Sequence, residues 1–149
     1  MADTALNDFK GRLAEVIADG ADLIVIPMSA DDADGTFEDG YADFFLDTVL
    51  GAAGNTEQTG STWSRKVHLN AAITQTVDDA NDLVRVILDA DDTHTAPLAS
   101  NDTVSLLICV DGGSDAVREV IGKWEFIVTT DGNDVTANYD QTNGIWTAA

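Results

Sequence analysis

The side chains best suited to acid–base, nucleophilic or metal chemistry are few and widely separated. The chain contains two histidines, His68 and His94, and one cysteine, Cys109. A structural zinc site needs four nitrogen or sulfur ligands, and these three side chains belong to unrelated segments. No serine lies in a Gly-x-Ser-x-Gly turn, and Cys109 lies in an apolar run typical of a buried strand. We therefore expect no enzymatic activity and no catalytic residue.

Aspartate clusters offer the other candidate for ion binding. Asp32 and Asp34 align with the third and fifth positions of a calcium loop, but Ala30 and Tyr41 then occupy the first and twelfth positions, where the anchoring ligands belong. We expect solvated acidic loops and no cofactor, with a weak Ca²⁺ site as the alternative. The second acidic cluster comprises Asp89, Asp91 and Asp92.

Tryptophan side chains suggest a further alternative, because indole rings stack on sugars as well as packing in cores. Trp124 alternates with Phe126 along one strand face, which favours core packing. Trp63 follows a glycine-rich loop and is expected to be exposed. Trp146, close to the C-terminal residue, is expected to close the fold or contact a neighbouring molecule.

The first third of the chain predicts helices around one buried strand. Apolar residues at helical spacing predict a helix over 7–18 and a second, short one over 42–50. The continuous apolar run over 22–28 predicts a buried strand.

The remainder is typical of β structure. Alternation over 66–74 places Val67 and Leu69 on an inward face and His68 on the polar face. Further strands are predicted over 83–88, 103–110, 117–130, 135–139 and 145–147, and residues 131–134 are predicted to form a hairpin turn. Short strands with regular turns favour one mainly-β domain over 1–149, an antiparallel sandwich or partly open barrel.

The charge of the chain limits its partners. Asp and Glu number 27 and Lys and Arg 7, for a formal net charge of -20 over 149 residues. Such a surface repels phosphates and anionic lipid, so we expect no direct nucleic-acid partner and no membrane association. The first residues lack the pattern of a secretory signal, and we expect none.

The order of segments resembles that of small bacteriophage structural proteins, the capsid decoration or cement proteins. The helix and apolar strand from Asn7 to Met28 come first, followed by an Asp- and Thr-rich loop. The segment Thr59 to Lys66 then leads into a strand, and an Asp-Asp-Ala-Asn turn from Asp78 precedes a valine-rich strand. A Gly-Ile ending, Gly144–Ile145, closes the pattern.

The resemblance implies a virion protein, made in the host cytoplasm, that binds the major capsid protein on the outer capsid surface and self-associates as a trimer. The alternatives are a tail or head–tail joining component, and a calcium- or sugar-binding β module. The predicted interface residues are Phe37, Tyr41, Phe44, Phe45, Trp63, Arg65 and Trp146.

Overall fold

A computed structural model describes residues 4–5, 18–31, 45–78, 80, 83–142, 144 and 146–148. Over these residues the protein is mainly β, with antiparallel sheets and little helix, as the sequence predicts. The strands are β1 (Thr4–Ala5), β2 (Leu23–Ala30), β3 (Thr56–Glu57), β4 (Lys66–His68), β5 (Ile73–Asp78), β6 (Leu83–Leu88), β7 (Asp92–His94), β8 (Thr103–Val110), β9 (Val120–Val128), β10 (Val135–Ala137) and β11 (Trp146–Ala148); the helical segments are α1 (Leu46–Gly51) and a 3₁₀ turn (Asn70–Ala72).

The two long apolar strands β2 and β8 lie at the centre of the main sheet. Its order is β1-β9-β8-β2-β3, and β4 pairs with the other end of β2. Every described pairing in this sheet is antiparallel. The sheet is covered on both faces, which explains the continuous apolar runs over 23–28 in β2 and 106–110 in β8.

Alternate side chains of the central strands enter two separate core clusters. Each fully buried leucine or isoleucine contributes on the order of 2 kcal/mol to folding, so both faces stabilise the fold. The first cluster includes Leu23, Val25, Leu106, Ile108, Val86, Leu88 and Tyr139. The second, on the face covered by α1, includes Ile24, Ile26, Met28, Leu107, Cys109, Leu46 and Val49.

The predicted hairpin at 131–134 is wrong. Strand β10 pairs with β7, with Val135 opposite His94, and the remaining strands form a second small sheet in the order β11-β6-β5. The turn is attached to the segment before β8: Gly132 N donates to Pro97 O at 3.0 Å, and Ala96 N donates to the Asp134 carboxylate at 2.9 Å. These bonds direct the chain towards β7 and away from β9.

The inward and outward faces predicted around His68 are reversed. Val67 and Leu69 are 50% and 59% exposed, whereas His68 is 5% exposed. His68 lies opposite Leu23 in the sheet register and therefore on the core side, where its ring is hydrogen-bonded to Asp92. The alternation of inward and outward side chains also ends at Asn70, where the 3₁₀ turn begins. The backbone N–H of Asn70 donates to the carboxylate of Asp22, which precedes β2.

Other predicted elements agree with the structure. The strands predicted over 103–110 and 83–88 have the predicted bounds and are β8 and β6. The apolar run over 22–28 forms β2, which continues past Pro27 to Ala30. Helix α1 confirms the second predicted helix over 46–50, whereas Phe45 is the extended N-cap residue before it. The predicted helix over 7–18 lies outside the described residues except for Ala18.

Candidate functional site

Two predicted interface residues, Phe45 and Arg65, lie in one corner of the molecule, between the start of α1 and the loop over 111–119. Phe45 forms an isolated antiparallel bridge with Glu119. Leu46 N donates to Arg118 O at 2.8 Å, and Asp47 N donates to Asp115 O at 3.1 Å. Backbone hydrogen bonds therefore fix the start of the helix against this loop, and we call the region the 45/115 corner.

An ion-pair network stabilises the 45/115 corner. Arg65 donates to Glu57 in a bidentate arrangement, Nε to Oε1 at 2.7 Å and Nη2 to Oε2 at 2.6 Å. The same guanidinium reaches Asp115 Oδ1 at 2.5 Å through Nη1. Arg118 joins Asp115 at 2.6 Å and Asp111 at 2.8 Å. Two arginines thus share one carboxylate and connect β3, the start of β4 and the 111–119 loop.

The network shifts the protonation equilibria of its members. The hydrogen bond from Arg65, followed by that from Arg118, outweighs burial and lowers the pKa of Asp115 from its ordinary value of 3.8 to about 2. Hydrogen bonds to Glu57 and Asp115 raise the pKa of Arg65 far above its usual value. Asp115 therefore remains ionised over the whole physiological range, and the corner keeps its charge pattern.

Apolar side chains reach solvent beside this network. Phe45 is 40% exposed and Val117 is 49% exposed. Val117 is two residues from the Phe45–Glu119 bridge, so both belong to the same corner. An exposed aromatic ring beside a network of ion pairs, as in the 45/115 corner, is suited to contact with another protein.

A buried polar cluster lies on the opposite side of the main sheet from α1. Asp92 Oδ2 accepts the Tyr139 hydroxyl at 2.7 Å and lies 3.0 Å from His68 Nε2. Burial, followed by the charge of Asp92, raises the pKa of Tyr139 well above its usual value, so the phenol remains a donor. His68 and Tyr139 are only 5% and 9% exposed, so their hydrogen bonds to Asp92 stabilise the core. Cys109 belongs to the other core cluster, and burial raises the pKa of its thiol.

An open cavity of about 280 Å³ lies at the surface beside the buried polar cluster of His68, Asp92 and Tyr139. Trp124 and Phe126 come from β9, and Tyr139 follows β10; the ring centroids of Trp124 and Tyr139 are 5.9 Å apart. The prediction that Trp124 packs in the core is confirmed in part, since the ring packs on the first core cluster while remaining half-buried. The lining residues are Leu106, Trp124, Glu125, Phe126, Ala137, Asn138, Tyr139, Asp140 and Gly144.

The predicted exposure of Trp63 is wrong, because its side chain is only 5% exposed. Its indole Nε1 donates to Asn101 O at 2.7 Å, and its ring lies 4.3 Å from that of His94. His94 lies in β7 and is 2% exposed. A carbonyl partner for the indole N–H allows Trp63 to be buried despite the glycine-rich loop before it.

The acidic cluster predicted near residue 90 does not converge. Asp89 accepts the Thr74 hydroxyl, Asp91 accepts Tyr139 N, and Asp92 belongs to the buried cluster. Within the described part of the chain, no group of three or more His, Cys, Asp or Glu side chains could hold a metal ion. The other acidic candidates, Asp32 and Asp34, lie outside the described residues.

Several predicted interface residues also lie outside the described part: Phe37, Tyr41, Phe44 and the side chain of Trp146. The backbone of Trp146 pairs with Val86. Sequence reasoning missed Asp115, Arg118 and Tyr139. A signal existed only for the first two, since an aspartate three residues before an arginine favours an ion pair.

No protein-family model matches the chain, and comparisons with curated proteins and with solved structures find no match either. No helix in the described ranges has both the length and the apolar character needed to cross a bilayer.

Proposed function

We propose that the chain is a structural protein of a bacteriophage particle, a decoration or cement protein that binds the outer capsid and stabilises the contacts between capsomers. The ordered resemblance of its segments to such proteins suggests the class. The observation that carries the proposal is the 45/115 corner, where two of the residues predicted for the interface, Phe45 and Arg65, come together beside exposed apolar surface.

The distribution of charge supports a role in surface contact. Arg65, Arg118 and Lys123 form ion pairs with carboxylates, and Lys66 donates to Thr93 O. With these cations engaged within the molecule, the outward surface is dominated by the excess of acidic side chains. Such a surface, when it faces solvent, keeps particles apart from one another.

The proposed arrangement places the 45/115 corner against the major capsid protein and the acidic surface towards solvent. Repetition over a closed shell makes small contacts sufficient, because many weak interfaces act together. Self-association as a trimer fits the local symmetry of a shell. Chemistry is not required of the protein in this role.

A binding assay with purified capsids that lack the protein tests the corner. Sedimentation should show saturable binding of the wild-type chain and weaker binding of Phe45→Ala, since truncating a central interface aromatic typically costs about 2 kcal/mol or more. Ile127→Ala is the matched control, because Ile127 is also apolar and is 71% exposed. Equal binding of both variants contradicts the assignment of the corner.

A component of the tail or of the head–tail junction is the nearest competing role. Copy number separates the two: hundreds of copies in each particle support decoration of the shell, and a handful supports the connector or tail.

A further inference from the structure

Strand β5 is the longest strand at a sheet edge in the described part of the chain. It has six residues and pairs there with β6 alone, whereas the other edge strands, β1, β3, β4, β7, β10 and β11, have two or three residues each. An edge strand exposes backbone N–H and C=O groups, and proteins protect such edges by keeping them short or by placing charges, proline or bulges on them. Its length makes β5 the edge best suited to pairing with another strand.

The sequence of β5 contains few of the features that protect an edge. Residues 73–77, Ile-Thr-Gln-Thr-Val, include no charged residue, proline or glycine, and the strand reaches its first charge at Asp78. The register with β6 is continuous over all six residues, without a bulge. Isoleucine, threonine and valine, which make up most of this run, favour extended strands. The strand is therefore compatible with a second partner along its outer edge.

The hydrogen bonds at the start of the β5–β6 ladder show which backbone groups face outwards. Asp89 N donates to Ala72 O at 3.0 Å, next to the pair formed by Ile73 and Leu88. In an antiparallel ladder, hydrogen-bonded and non-hydrogen-bonded pairs alternate. The even-numbered residues of β5 therefore bond to β6, and the odd-numbered residues direct their backbone groups to the outer edge.

Three residues, Ile73, Gln75 and Val77, form this outer edge. The Ile73 N–H donates to Asn70 O and closes the 3₁₀ turn, so Ile73 offers its C=O to a neighbouring strand. By the alternation of the ladder, Gln75 and Val77 each offer both N–H and C=O.

The side chain of Val77 is exposed although it belongs to the core face of β5. Ile73 enters the first core cluster and is 8% exposed. Side chains two and four residues further along a strand lie on the same face, yet Val77 is 67% exposed. The end of β5 thus extends beyond the core, and a strand placed beside β5 would cover this side chain.

We propose that β5 pairs with β5 of a second copy of this chain, antiparallel and about a two-fold axis at Gln75. In this register Gln75 lies opposite its own copy, and Val77 lies opposite Ile73 of the second copy. The two Gln75 residues exchange a pair of backbone hydrogen bonds, and each Val77 N–H donates to Ile73 O of the other copy. Thr74 lies opposite Thr76 of the second copy, which is a favourable cross-strand pair.

The charge of the chain favours a second copy at this edge. Residues 73–77 are uncharged in a chain of net charge -20, so two copies can pair here without opposing carboxylates within the paired strands. The two Asp78 positions lie at opposite ends of the pair, about 20 Å apart at about 3.4 Å per residue, well beyond the Debye length of about 8 Å. Salt screens the repulsion between the remaining acidic surfaces, so association should strengthen as salt concentration rises.

The contact is small and needs no capsid, so it does not depend on the proposed function. Interfaces of this size are weak, and we expect a dissociation constant on the order of 100 µM. A two-fold contact of this kind adds to the three-fold association proposed for the shell, and β5 contains no residue of the 45/115 corner.

Sedimentation equilibrium over roughly 10 µM to 1 mM protein tests the pairing, with a monomer–dimer equilibrium as the expected result. Gln75→Pro should weaken it about tenfold or more, because proline removes the N–H at the two-fold axis while the bonds to β6 remain. Val77→Asp should also weaken it, and this exposed position tests the edge even if the proline variant fails to fold. Leu69→Asp is the matched control, since Leu69 is 59% exposed and lies outside β5. A monomer at every concentration, or dimers that neither β5 variant weakens, overturns the proposal.

Amide hydrogen exchange distinguishes pairing between copies from pairing within one chain. The N–H groups of Gln75 and Val77 should exchange rapidly in dilute protein and more slowly in concentrated protein. Those of Thr74 and Thr76, which bond to β6, should exchange slowly in both. Slow exchange of Gln75 and Val77 in dilute, monomeric protein would contradict the proposal, because the edge would then be covered by the chain itself.

Discussion

Replacing Asp115 by asparagine removes the negative charge that joins Arg65 and Arg118. Asp115 Oδ1 accepts from both guanidinium groups, at 2.5 Å from Arg65 and 2.6 Å from Arg118. Asparagine is of nearly the same size and keeps one acceptor, so packing is preserved. Each arginine also keeps a second carboxylate, Glu57 or Asp111. The variant therefore removes the charge of Asp115 together with one acceptor, Oδ2, which accepts from Arg65 Nη2 at 2.8 Å.

The expected loss of stability follows from the pKa of Asp115. A fall from 3.8 to about 2 corresponds to about 2.5 kcal/mol, at about 1.4 kcal/mol for each pH unit. The side chain is 32% exposed, so solvent screening reduces this value. We expect Asp115→Asn to lower the free energy of unfolding by about 1–1.5 kcal/mol at pH 7.

Urea denaturation at a series of pH values measures this effect. Because the folded protein lowers the pKa of Asp115, its contribution is fully present above pH 3.8 and is lost as pH falls towards about 2. The stability difference between wild type and variant should therefore be constant from neutral pH to about pH 4 and shrink below it.

Asp131→Asn is the matched control, because Asp131 is a turn aspartate whose carboxylate accepts from Asn133 and not from a cation. It should destabilise the protein less than Asp115→Asn does. Equal stability of wild type and Asp115→Asn at pH 7, or a difference that persists unchanged to pH 2, would refute the reasoning.

Three further predictions concern buried positions. Burial, followed by the charge of a nearby lysine, lowers the pKa of His94 below 6.5, so stability should fall as pH drops below about 6.5; His94→Gln should reduce that slope, and an unchanged slope in urea titrations contradicts the account. Cys109 is 0% exposed with a raised pKa, so a thiol reagent should modify it only as fast as the protein unfolds; rapid modification of the folded protein argues against its burial. Gly144→Ala should cost about 1–3 kcal/mol, more than Gly132→Ala, because both positions have positive φ but only the first meets a backbone atom, Val86 O; equal costs measured by thermal unfolding count against that contact.

The strands at the centre of the fold were predictable because their sequence pattern has a single physical meaning. A continuous apolar run bounded by polar turns is buried on both faces, and this holds for the run over 106–109 in β8, where every residue is buried. The mainly-β class followed from the succession of short strands separated by regular turns. The pairing of the strands was harder to predict from the sequence. The partner of β10 depends on hydrogen bonds between residues remote in sequence, from Ala96 N to Asp134 and from Gly132 N to Pro97 O.

The candidate sites were predictable only in part, because burial depends on partners that are remote in sequence. His68 occupies a polar position in its local pattern and is nevertheless buried, since Asp92, 24 residues away, satisfies it. Trp63 follows a loop typical of exposed segments, but Asn101 accepts from its indole 38 residues away. Tyr139 carried no local signal, and its importance became clear only from the cavity and the cluster around it.

Quantitative mass spectrometry of purified phage particles tests the proposed function most directly. The particles must come from a phage whose genome encodes this chain, and the major capsid protein provides the internal standard. The proposal predicts hundreds of copies of the chain in each particle, in a fixed ratio to the major capsid protein. Absence from the particles contradicts a virion role, and a handful of copies contradicts decoration of the shell.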